Sequence, residues 1–241
     1  MKDKFTVIEC DTPVGSMLIT DVTYDYTKKI AAHYEAMTYE TPVMEAIREL
    51  PFTHFLDVGA AYGYYSLVAA AKPDVKKVFA YEPHPIRYGL LWWNTHTNEK
   101  ITPRMEFVGE DVAMKRIAFS RNPGGLFGEK VENNDNSVSM SENEYAVLPT
   151  TTLDNTYKFW RLTTKEPMRI LTKIDVEGFE LNVLKGATHL FQPHNYFLVE
   201  THKRVVSDEQ LIAYMAGQGF GKYKTLIENL KNSVILFQAS A

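Results

Sequence analysis

The sequence predicts an α/β protein with a doubly wound, mostly parallel sheet, and three observations support this fold class. After the first fifty residues, short apolar runs alternate with helical patterns, which is typical of a parallel sheet covered by helices on both faces. A glycine turn, Asp57-x-Gly59-x-x-x-Gly63, follows the first apolar run. Near the C-terminus, the β-prone runs Tyr223–Glu228 and Ser233–Gln238 predict a hairpin that adds an antiparallel strand.

Composition limits the class of protein. The chain has 241 residues, 45% hydrophobic and 23% charged, which suits one sizeable core. A net charge of −4 without a long basic run gives no electrostatic reason to expect a nucleic-acid partner. A single cysteine, Cys10, excludes an internal disulfide. Without a signal-peptide pattern or an apolar run of membrane-spanning length, we expect a soluble cytoplasmic protein with no membrane partner.

The sequence predicts that residues 1–50 form an extension that packs on a main domain of residues 51–241. Two β-prone runs within residues 5–24 predict a hairpin. Helices are predicted at 27–37 and 41–50. Glu40, just before the second helix, is kept as a candidate cofactor-binding residue, although the sequence alone favours a side chain that merely faces solvent.

The main domain contains alternating elements and one long insertion. Strands are predicted at 53–58, 76–82, 104–109, 169–175, 195–201 and 232–238. Helices are predicted at 62–72, 84–97, 178–191 and 207–217. In the second of these helices, Ile86, Leu90 and Trp93 are expected to face the sheet. The polar insertion 118–150 would emerge where ligands bind in open α/β folds, which predicts a substrate-covering loop, with a surface excursion as the alternative.

The glycine turn and the next strand predict a cofactor site. Glycine lets backbone approach a ligand closely, and the helix start offers free N–H groups. About twenty residues on, the next strand ends at Glu82, where a carboxylate can hold both ribose hydroxyls. The turn lacks the dinucleotide pattern G-x-G-x-x-G and has no basic residue for a phosphate. This favours S-adenosylmethionine, whose ammonium group suits Asp57.

Ionisable residues converge at the carboxyl edge of the sheet. Lys173 and Asp175 share one face of a strand, and Glu200 and His202 share one face of the next. Because a buried lysine needs a carboxylate, Lys173 is either a structural cation or an active-site charge. The convergence favours a functional site. Glu180 is expected on the following helix rather than in the site.

These segments together resemble the FkbM-type family of S-adenosylmethionine-dependent methyltransferases. The matching blocks are Asp57-Val58-Gly59-Ala60-Ala61-Tyr62-Gly63, Glu82-Pro83-His84-Pro85, Lys173-Ile174-Asp175-Val176-Glu177-Gly178-Phe179-Glu180, Val183-Leu184-Lys185-Gly186-Ala187 and Glu200-Thr201-His202. The match covers about residues 40–220, and its most specific part is the block that begins at Lys173. Ala61 departs from the family, which usually carries asparagine there, and this removes a hydrogen-bonding group near the methionine moiety.

The resemblance implies a Rossmann-like, class I methyltransferase-like fold and O-methylation of a hydroxyl on a sugar, glycan or related small metabolite. By that similarity, the glycine turn lines the methionine portion, Glu82 holds the ribose, and the segment after the third strand contacts adenine. The candidate cofactor-binding residues are Glu40, Asp57, Gly59, Ala60, Gly63, Glu82, Pro83, Asp111 and Val112.

Methyl transfer is expected to be an in-line displacement assisted by a base. The candidate catalytic residues are Lys173, Asp175, Glu200 and His202. His202 is the best single base, because an unperturbed histidine titrates near working pH, and Asp175 or Glu200 would orient it or accept the proton instead. A divalent cation held by Asp175, Glu200 and substrate oxygens is the third route, but no spacing is diagnostic and no metal ligand is assigned.

Two other functions and the oligomeric state stay open at this point. A nucleic-acid methyltransferase would want a basic rim, which the net charge argues against. A non-catalytic S-adenosylmethionine-binding module would be expected to lose the cofactor turn or the carboxylates, and both are present. A homodimer is compatible with the sequence.

Overall fold

A computed structural model describes residues 6–20, 24–120 and 143–240 of the chain. The strands are β1 Ile8–Thr12, β2 Gly15–Ile19, β3 His54–Val58, β4 Lys77–Tyr81, β5 Ile101–Arg104, β6 Phe107–Val108, β7 Met114–Ser120, β8 Asn143–Thr151, β9 Ile170–Ile174, β10 Tyr196–His202, β11 Lys222–Glu228 and β12 Asn232–Gln238. The helices are α1 Tyr24–Glu35, α2 Thr41–Glu49, α3 Tyr64–Ala70, α4 Pro85–Thr95, α5 Leu153–Thr163, α6 Glu180–Lys185 and α7 Asp208–Gly217.

A seven-stranded sheet with the order β11-β12-β10-β9-β3-β4-β5 forms the centre of the fold. β10, β9, β3, β4 and β5 are parallel to their sheet neighbours within this set, whereas β12 is antiparallel to both β10 and β11. β4 and β5 lie on one side of β3, and β9 and β10 on the other, so a crevice is expected beyond the carboxyl ends of β3 and β9. The predicted class I methyltransferase-like fold with an antiparallel C-terminal strand is confirmed.

The two central strands, β3 and β9, are buried along their whole length, as expected for parallel strands with helices on both faces. Their apolar side chains separate into two cores. Phe55 and Leu171 belong to one core, and Leu56 and Ile174 belong to the other. Asp57 and Lys173 are buried polar exceptions, and they lie opposite each other in the register of β3 and β9.

The predicted N-terminal hairpin is present as β1 and β2, and the side chain of Asn94 joins it to α4. The side-chain oxygen of Asn94, on α4, accepts a hydrogen bond from the Leu18 N–H at 2.7 Å. Its amide nitrogen donates to the carbonyl oxygens of Leu18 and Tyr62, each at 2.9 Å. Asn94 therefore joins the hairpin, α4 and the glycine turn by satisfying three backbone groups.

Two predicted boundaries were wrong. The third strand of the sheet is β5, not 104–109, and β6 belongs to a separate three-stranded sheet of order β6-β8-β7. β5 is an edge strand that contains Pro103, which cannot donate to a ladder. The helix predicted at 178–191 ends early, at Lys185. A Cβ on Gly186 would lie 2.1 Å from the Gly109 carbonyl oxygen, so the chain passes too close to that loop for any larger residue.

The insertion predicted as a loop at 118–150 begins and ends as paired strands. β7 and β8 form an antiparallel ladder from Met114 opposite Pro149 to Ser120 opposite Asn143. The tip of this hairpin falls outside the described residues, so the covering loop stays a prediction. α5, which the sequence did not predict, follows β8 and is capped by the Thr152 side chain, which accepts from the Asn155 N–H.

The buried face of α4 also differs from the prediction. Leu91 and Thr95 are its buried residues, because both pack against Gly63. Ile86 and Trp93, which were expected to face the sheet, are 38% and 58% exposed. Within the described ranges, none of the helices combines the length and apolar character needed to cross a bilayer.

Replacing Asn94 with alanine is expected to lower the free energy of unfolding by about 1–3 kcal/mol, because Leu18 and Tyr62 lose a partly buried partner. Urea denaturation measures the change. Asn155→Ala, at an exposed position of α5, is the matched control and should shift stability by no more than about 0.5 kcal/mol. Equal stability of the two variants would show that the hydrogen bonds of Asn94 do not stabilise the fold.

Candidate active site

A cavity opens at the carboxyl edge of the sheet, between the ends of β3, β4 and β9. Gly59 and Ala61 of the glycine turn form one wall, and Glu82 and Pro83 after β4 form another. Asp175, Val176 and Glu177 after β9 close the third side, and Phe107 and Val108 of β6 contribute apolar surface. The cavity therefore lies at the switch point that the strand order predicts.

The glycine turn brings two parts of the site into contact. Gly59 has φ +81°, and a Cβ there would lie 1.8 Å from the carbonyl oxygen of Asp175. Gly63, which begins α3 with φ +87°, would place a Cβ 2.7 Å from Leu91. The N–H groups of Gly59 and Ala60 both donate to the Tyr81 carbonyl at 2.9 Å. Glycine is therefore required where the turn packs on the end of β9.

Glu82 organises the cavity wall through its two carboxylate oxygens. One accepts the N–H of Ala61 at 3.0 Å, and the other accepts the N–H of His84 at 2.8 Å. Burial raises the pKa of Glu82, and these backbone bonds oppose the rise. Each oxygen keeps a further lone pair, so Glu82 can also accept hydrogen bonds from ligand hydroxyls.

Asp57 is fully buried at the end of β3. Its Oδ2 accepts the Ser66 hydroxyl at 2.6 Å, but its Oδ1 has no hydrogen-bond partner among the described residues. Burial raises the pKa of Asp57, and the nearby charge of Lys173 opposes the rise. A buried carboxylate oxygen without a partner is costly, and a ligand donor would remove the cost.

Lys173 is the centre of a charge cluster on the same face of the sheet as Asp57. Its Nζ lies 3.2 Å from Asp175 Oδ2 and 4.9 Å from the ring centroid of Tyr65, whose hydroxyl donates to Glu40. Burial lowers the pKa of Lys173, but the carboxylates of Asp175, Asp57 and further acids outweigh it, so that its pKa is raised. Lys173 is therefore a permanent cation.

The pKa values of two carboxylates in the cluster, Asp175 and Glu200, are shifted in opposite directions. Burial raises the pKa of Asp175, but Lys173 and His202 outweigh burial, so the net shift is downward. Burial raises the pKa of Glu200 to about 8, with Asp175 and Glu40 adding to the rise. The amide of Asn232, on β12, donates to Glu200.

His202 is surrounded by carboxylates. Its Nδ1 lies 2.8 Å from Glu180 Oε1, and its Nε2 lies 3.2 Å from Glu177 Oε2 and 4.0 Å from Asp175 Oδ1. Burial lowers the pKa of His202, but the hydrogen bond with Glu180 and the surrounding carboxylates outweigh it and raise it to about 9. This geometry favours an imidazolium, which has no lone pair to accept a proton, and so it argues against the expected base.

Three non-glycine residues at this edge have left-handed backbone conformations, namely Glu40 at φ +46°, Ala61 at +48° and Glu177 at +55°. Such conformations are costly for residues with a Cβ and cluster at functional sites. Each of them also has a contact in the site. Glu40 accepts from Tyr65, the Ala61 N–H binds Glu82, and Glu177 faces His202.

The structure does not bring all the candidate residues to the cavity. Asp111 is exposed and pairs with Lys115, Val112 is 64% exposed, and neither lines the cavity, where Phe107 and Val108 lie instead. Of the other cofactor-binding candidates, Gly59, Glu82 and Pro83 line the cavity, whereas Glu40, Asp57, Ala60 and Gly63 do not. The cavity and the charge cluster are neighbours that share Asp175.

Sequence reasoning missed Tyr65, Glu177 and Glu180. Glu180 was expected away from the site, but it is the first residue of α6, fully buried, and accepts from the Gly178 N–H as well as contacting His202. Glu177 directly precedes Gly178, and Glu180 follows it by two residues. The strand–turn–helix pattern around Gly178 was the sequence signal that could have placed both side chains near the site.

Comparisons with known proteins identify the family of the chain. Residues 57–221 match the family model of the methyltransferase FkbM domain. The hexuronic acid methyltransferase AglP of Haloferax volcanii is 27% identical over 149 residues, which is 62% of this chain but only 56% of that protein.

Solved structures are matched at low identity. The precorrin-6y C5,15-methyltransferase from Geobacter metallireducens GS-15 has a TM-score of 0.48 at 11% identity, covering 83% of this chain and 87% of that chain. The N-terminal domain of EvdMO1, solved in the presence of SAH and D-fucose, has a TM-score of 0.47 at 12% identity, covering 83% and 81%.

Ala61→Asn is expected to raise the free energy of unfolding by about 0.5–1 kcal/mol, because asparagine tolerates the left-handed conformation that alanine adopts here at a cost. Thermal unfolding without ligand measures the change. Ala71→Asn is the control, since Ala71 is exposed and right-handed, with φ −68°, and should gain nothing. A loss of stability in Ala61→Asn would show that the turn does not need this conformation.

Proposed function

Because this chain belongs to the FkbM methyltransferase family and uses S-adenosylmethionine as its cofactor, we propose that it methylates a hydroxyl of a sugar, glycan or related small metabolite. The observation that carries the proposal is the position of Asp175. Its backbone packs on Gly59 of the cofactor turn, while its side chain pairs with Lys173 of the charge cluster. A methyl donor and an acceptor held on either side of Asp175 would meet at this residue.

The residues of the cavity fit the cofactor. Glu82 offers free lone pairs to the ribose hydroxyls. Asp57 does not itself line the cavity but directly precedes the lining residues Val58 and Gly59, and we assign its unpartnered carboxylate oxygen to the ammonium group. Phe107 and Val108 offer an apolar wall to adenine, in place of the segment of Asp111 expected from the sequence. When bound, S-adenosylmethionine supplies an electrophilic methyl group on a sulfonium sulfur.

We place the acceptor over the charge cluster. In the transfer, a bond forms between the acceptor oxygen and the methyl carbon as the carbon–sulfur bond breaks, and the electron pair of that bond stays on sulfur. The hydroxyl proton passes to a carboxylate of the cluster, and we assign this role to Glu40. Glu40 is held in its costly conformation beside Lys173, and burial raises its pKa, which makes its carboxylate a stronger base.

The charge of the cluster favours a hydroxyl over a carboxylate as the group that is methylated. AglP is a methyltransferase for a hexuronic acid, a sugar that carries both groups. A carboxylate acceptor needs no base and would be repelled by Asp175, whose lowered pKa favours the charged form. A neutral hydroxyl is not repelled, and it uses the carboxylates as proton acceptors.

Residues 1–50 have a defined part in this proposal. They form an extension of a methyltransferase domain of residues 51–241 and supply Glu40 to the acceptor side. The hydrogen bonds of Asn94 join this extension to the glycine turn, and the hydrogen bond from Tyr65 to Glu40 joins it to α3.

Asp57→Asn is expected to weaken S-adenosylmethionine binding by about 10- to 100-fold, because a buried charge-assisted bond is worth about 1.5–3 kcal/mol. Calorimetric titration measures the affinity. The exposed Asp74→Asn is the matched control and should bind like the wild type. Unchanged affinity in a folded Asp57→Asn protein, or no binding by the wild type at millimolar donor, would overturn the cofactor assignment.

Glu40→Gln is expected to slow turnover by about 10²- to 10⁴-fold while leaving donor affinity unchanged, since a positioned base contributes about that much. Single-turnover transfer to glucose and glucuronic acid measures the rate. Glu45→Gln, on the exposed face of helix α2, which directly follows Glu40, is the control. If both variants turn over at the wild-type rate, Glu40 is not the base.

A further inference from the structure

Three side chains that can bind a metal ion meet at the carboxyl edge of the sheet. Asp175 follows β9, while Glu200 and His202 lie two residues apart on the neighbouring strand β10. One ligand atom from each residue lies within 4.8 Å of the other two. Bonds of about 2.0–2.6 Å place two ligands of one ion no more than about 5 Å apart, so the three atoms suit a single ion.

A buried carboxylate fixes the orientation of the histidine. Glu180 is fully buried, and its Oε1 lies 2.8 Å from His202 Nδ1. In the metal-bound form the ion replaces the Nε2 proton of the imidazolium, because a ligating nitrogen must be deprotonated. The Nδ1 proton stays donated to Glu180, and Nε2 faces Asp175 and Glu177. A histidine that binds a metal usually donates its other ring N–H to a carboxylate in this way.

Two carboxylate oxygens near His202 have no hydrogen-bond partner among the described residues. Glu177 Oε2 lies 3.2 Å from Nε2, is shielded from solvent and has no hydrogen-bond partner within the described parts of the chain. Glu180 Oε2 is shielded and unpartnered in the same way. Buried carboxylates are costly unless a cation compensates them, and Lys173 already pairs with the other oxygen of Asp175.

We propose that Asp175, Glu200 and His202 form a divalent-cation site, with Glu180 as the positioning residue for His202. The two carboxylates and one imidazole suit an ion such as Mn²⁺ or Mg²⁺ better than an ion that prefers thiolates. This site lies beside the cofactor cavity, because Asp175 belongs to both.

The role of the cation rests on the proposed function. An ion at this position takes a hydroxyl oxygen of the acceptor as a further ligand and lowers the pKa of that hydroxyl. The hydroxyl proton then passes to Glu40, which is not a ligand of the ion. The ion also explains how a site rich in carboxylates holds an electron-rich oxygen close to the methyl donor.

Mn²⁺ is the probe for the site. The full chain is titrated with Mn²⁺ in the absence of donor and acceptor, and electron paramagnetic resonance measures the concentration of unbound Mn²⁺. We expect one bound Mn²⁺ per chain. Glu200→Gln and His202→Gln should each weaken binding by at least about tenfold, and Glu180→Gln by about 10- to 100-fold. His189→Gln is the control, because His189 pairs with Asp154 at the surface, 3.1 Å away, and should leave Mn²⁺ binding unchanged.

Two assays separate this proposal from the proposed function. Calorimetry with S-adenosylmethionine shows whether each variant is folded and binds donor, and methyl transfer to glucuronic acid is followed in EDTA and after Mn²⁺ is restored. Loss of transfer in EDTA with recovery on Mn²⁺ supports the site. No bound Mn²⁺ at millimolar concentration in a protein that binds donor, or equal Mn²⁺ affinity in all variants, overturns it. Mn²⁺ binding by a chain that fails to bind donor supports the site and overturns the proposed function instead.

Discussion

The burial of Lys173 in the middle of the sheet is the constraint on which the rest of the site depends. A buried ammonium group is tolerated only if carboxylates surround it, and Asp57 on β3 and Asp175 after β9 supply them. Asp57 belongs to the cofactor turn, and Asp175 belongs to the charge cluster. One buried cation therefore links the turn that is proposed to bind the donor to the cluster that is proposed to bind the acceptor.

The close contact between Gly59 and Asp175 adds a backbone constraint to this electrostatic one. Because a side chain at residue 59 would collide with the Asp175 carbonyl, the two loops can only approach with glycine in the turn. On the other side, Tyr65 contacts both Lys173 and Glu40, which links α3 to the N-terminal extension. The site is thus assembled from four chain segments that converge around one lysine.

Much of this architecture is encoded in short-range sequence patterns. The alternation of apolar runs with helical periods predicted the parallel sheet, and the spacing from Gly59 to Glu82 predicted the strand–turn–helix unit that forms the cavity. The convergence of Lys173, Asp175, Glu200 and His202 was also predictable, because carboxyl ends of adjacent parallel strands share one edge.

The remainder depends on contacts that sequence spacing does not report. Glu180 was expected on a helix away from the site, yet the left-handed Glu177 and the short turn direct its side chain back to His202. The raised pKa of His202 likewise depends on its hydrogen bond with Glu180 and on the neighbouring carboxylates, which outweigh the effect of burial.

The central claim is that the chain methylates a hydroxyl. The most direct test is methyl transfer from S-adenosylmethionine to glucuronic acid, followed by treatment of the product with mild alkali. We expect a product that is one methyl group heavier and survives alkali, as an ether formed at a hydroxyl does. A product that alkali returns to glucuronic acid would be a methyl ester. That outcome would contradict the assignment of the charge cluster to the activation of a hydroxyl.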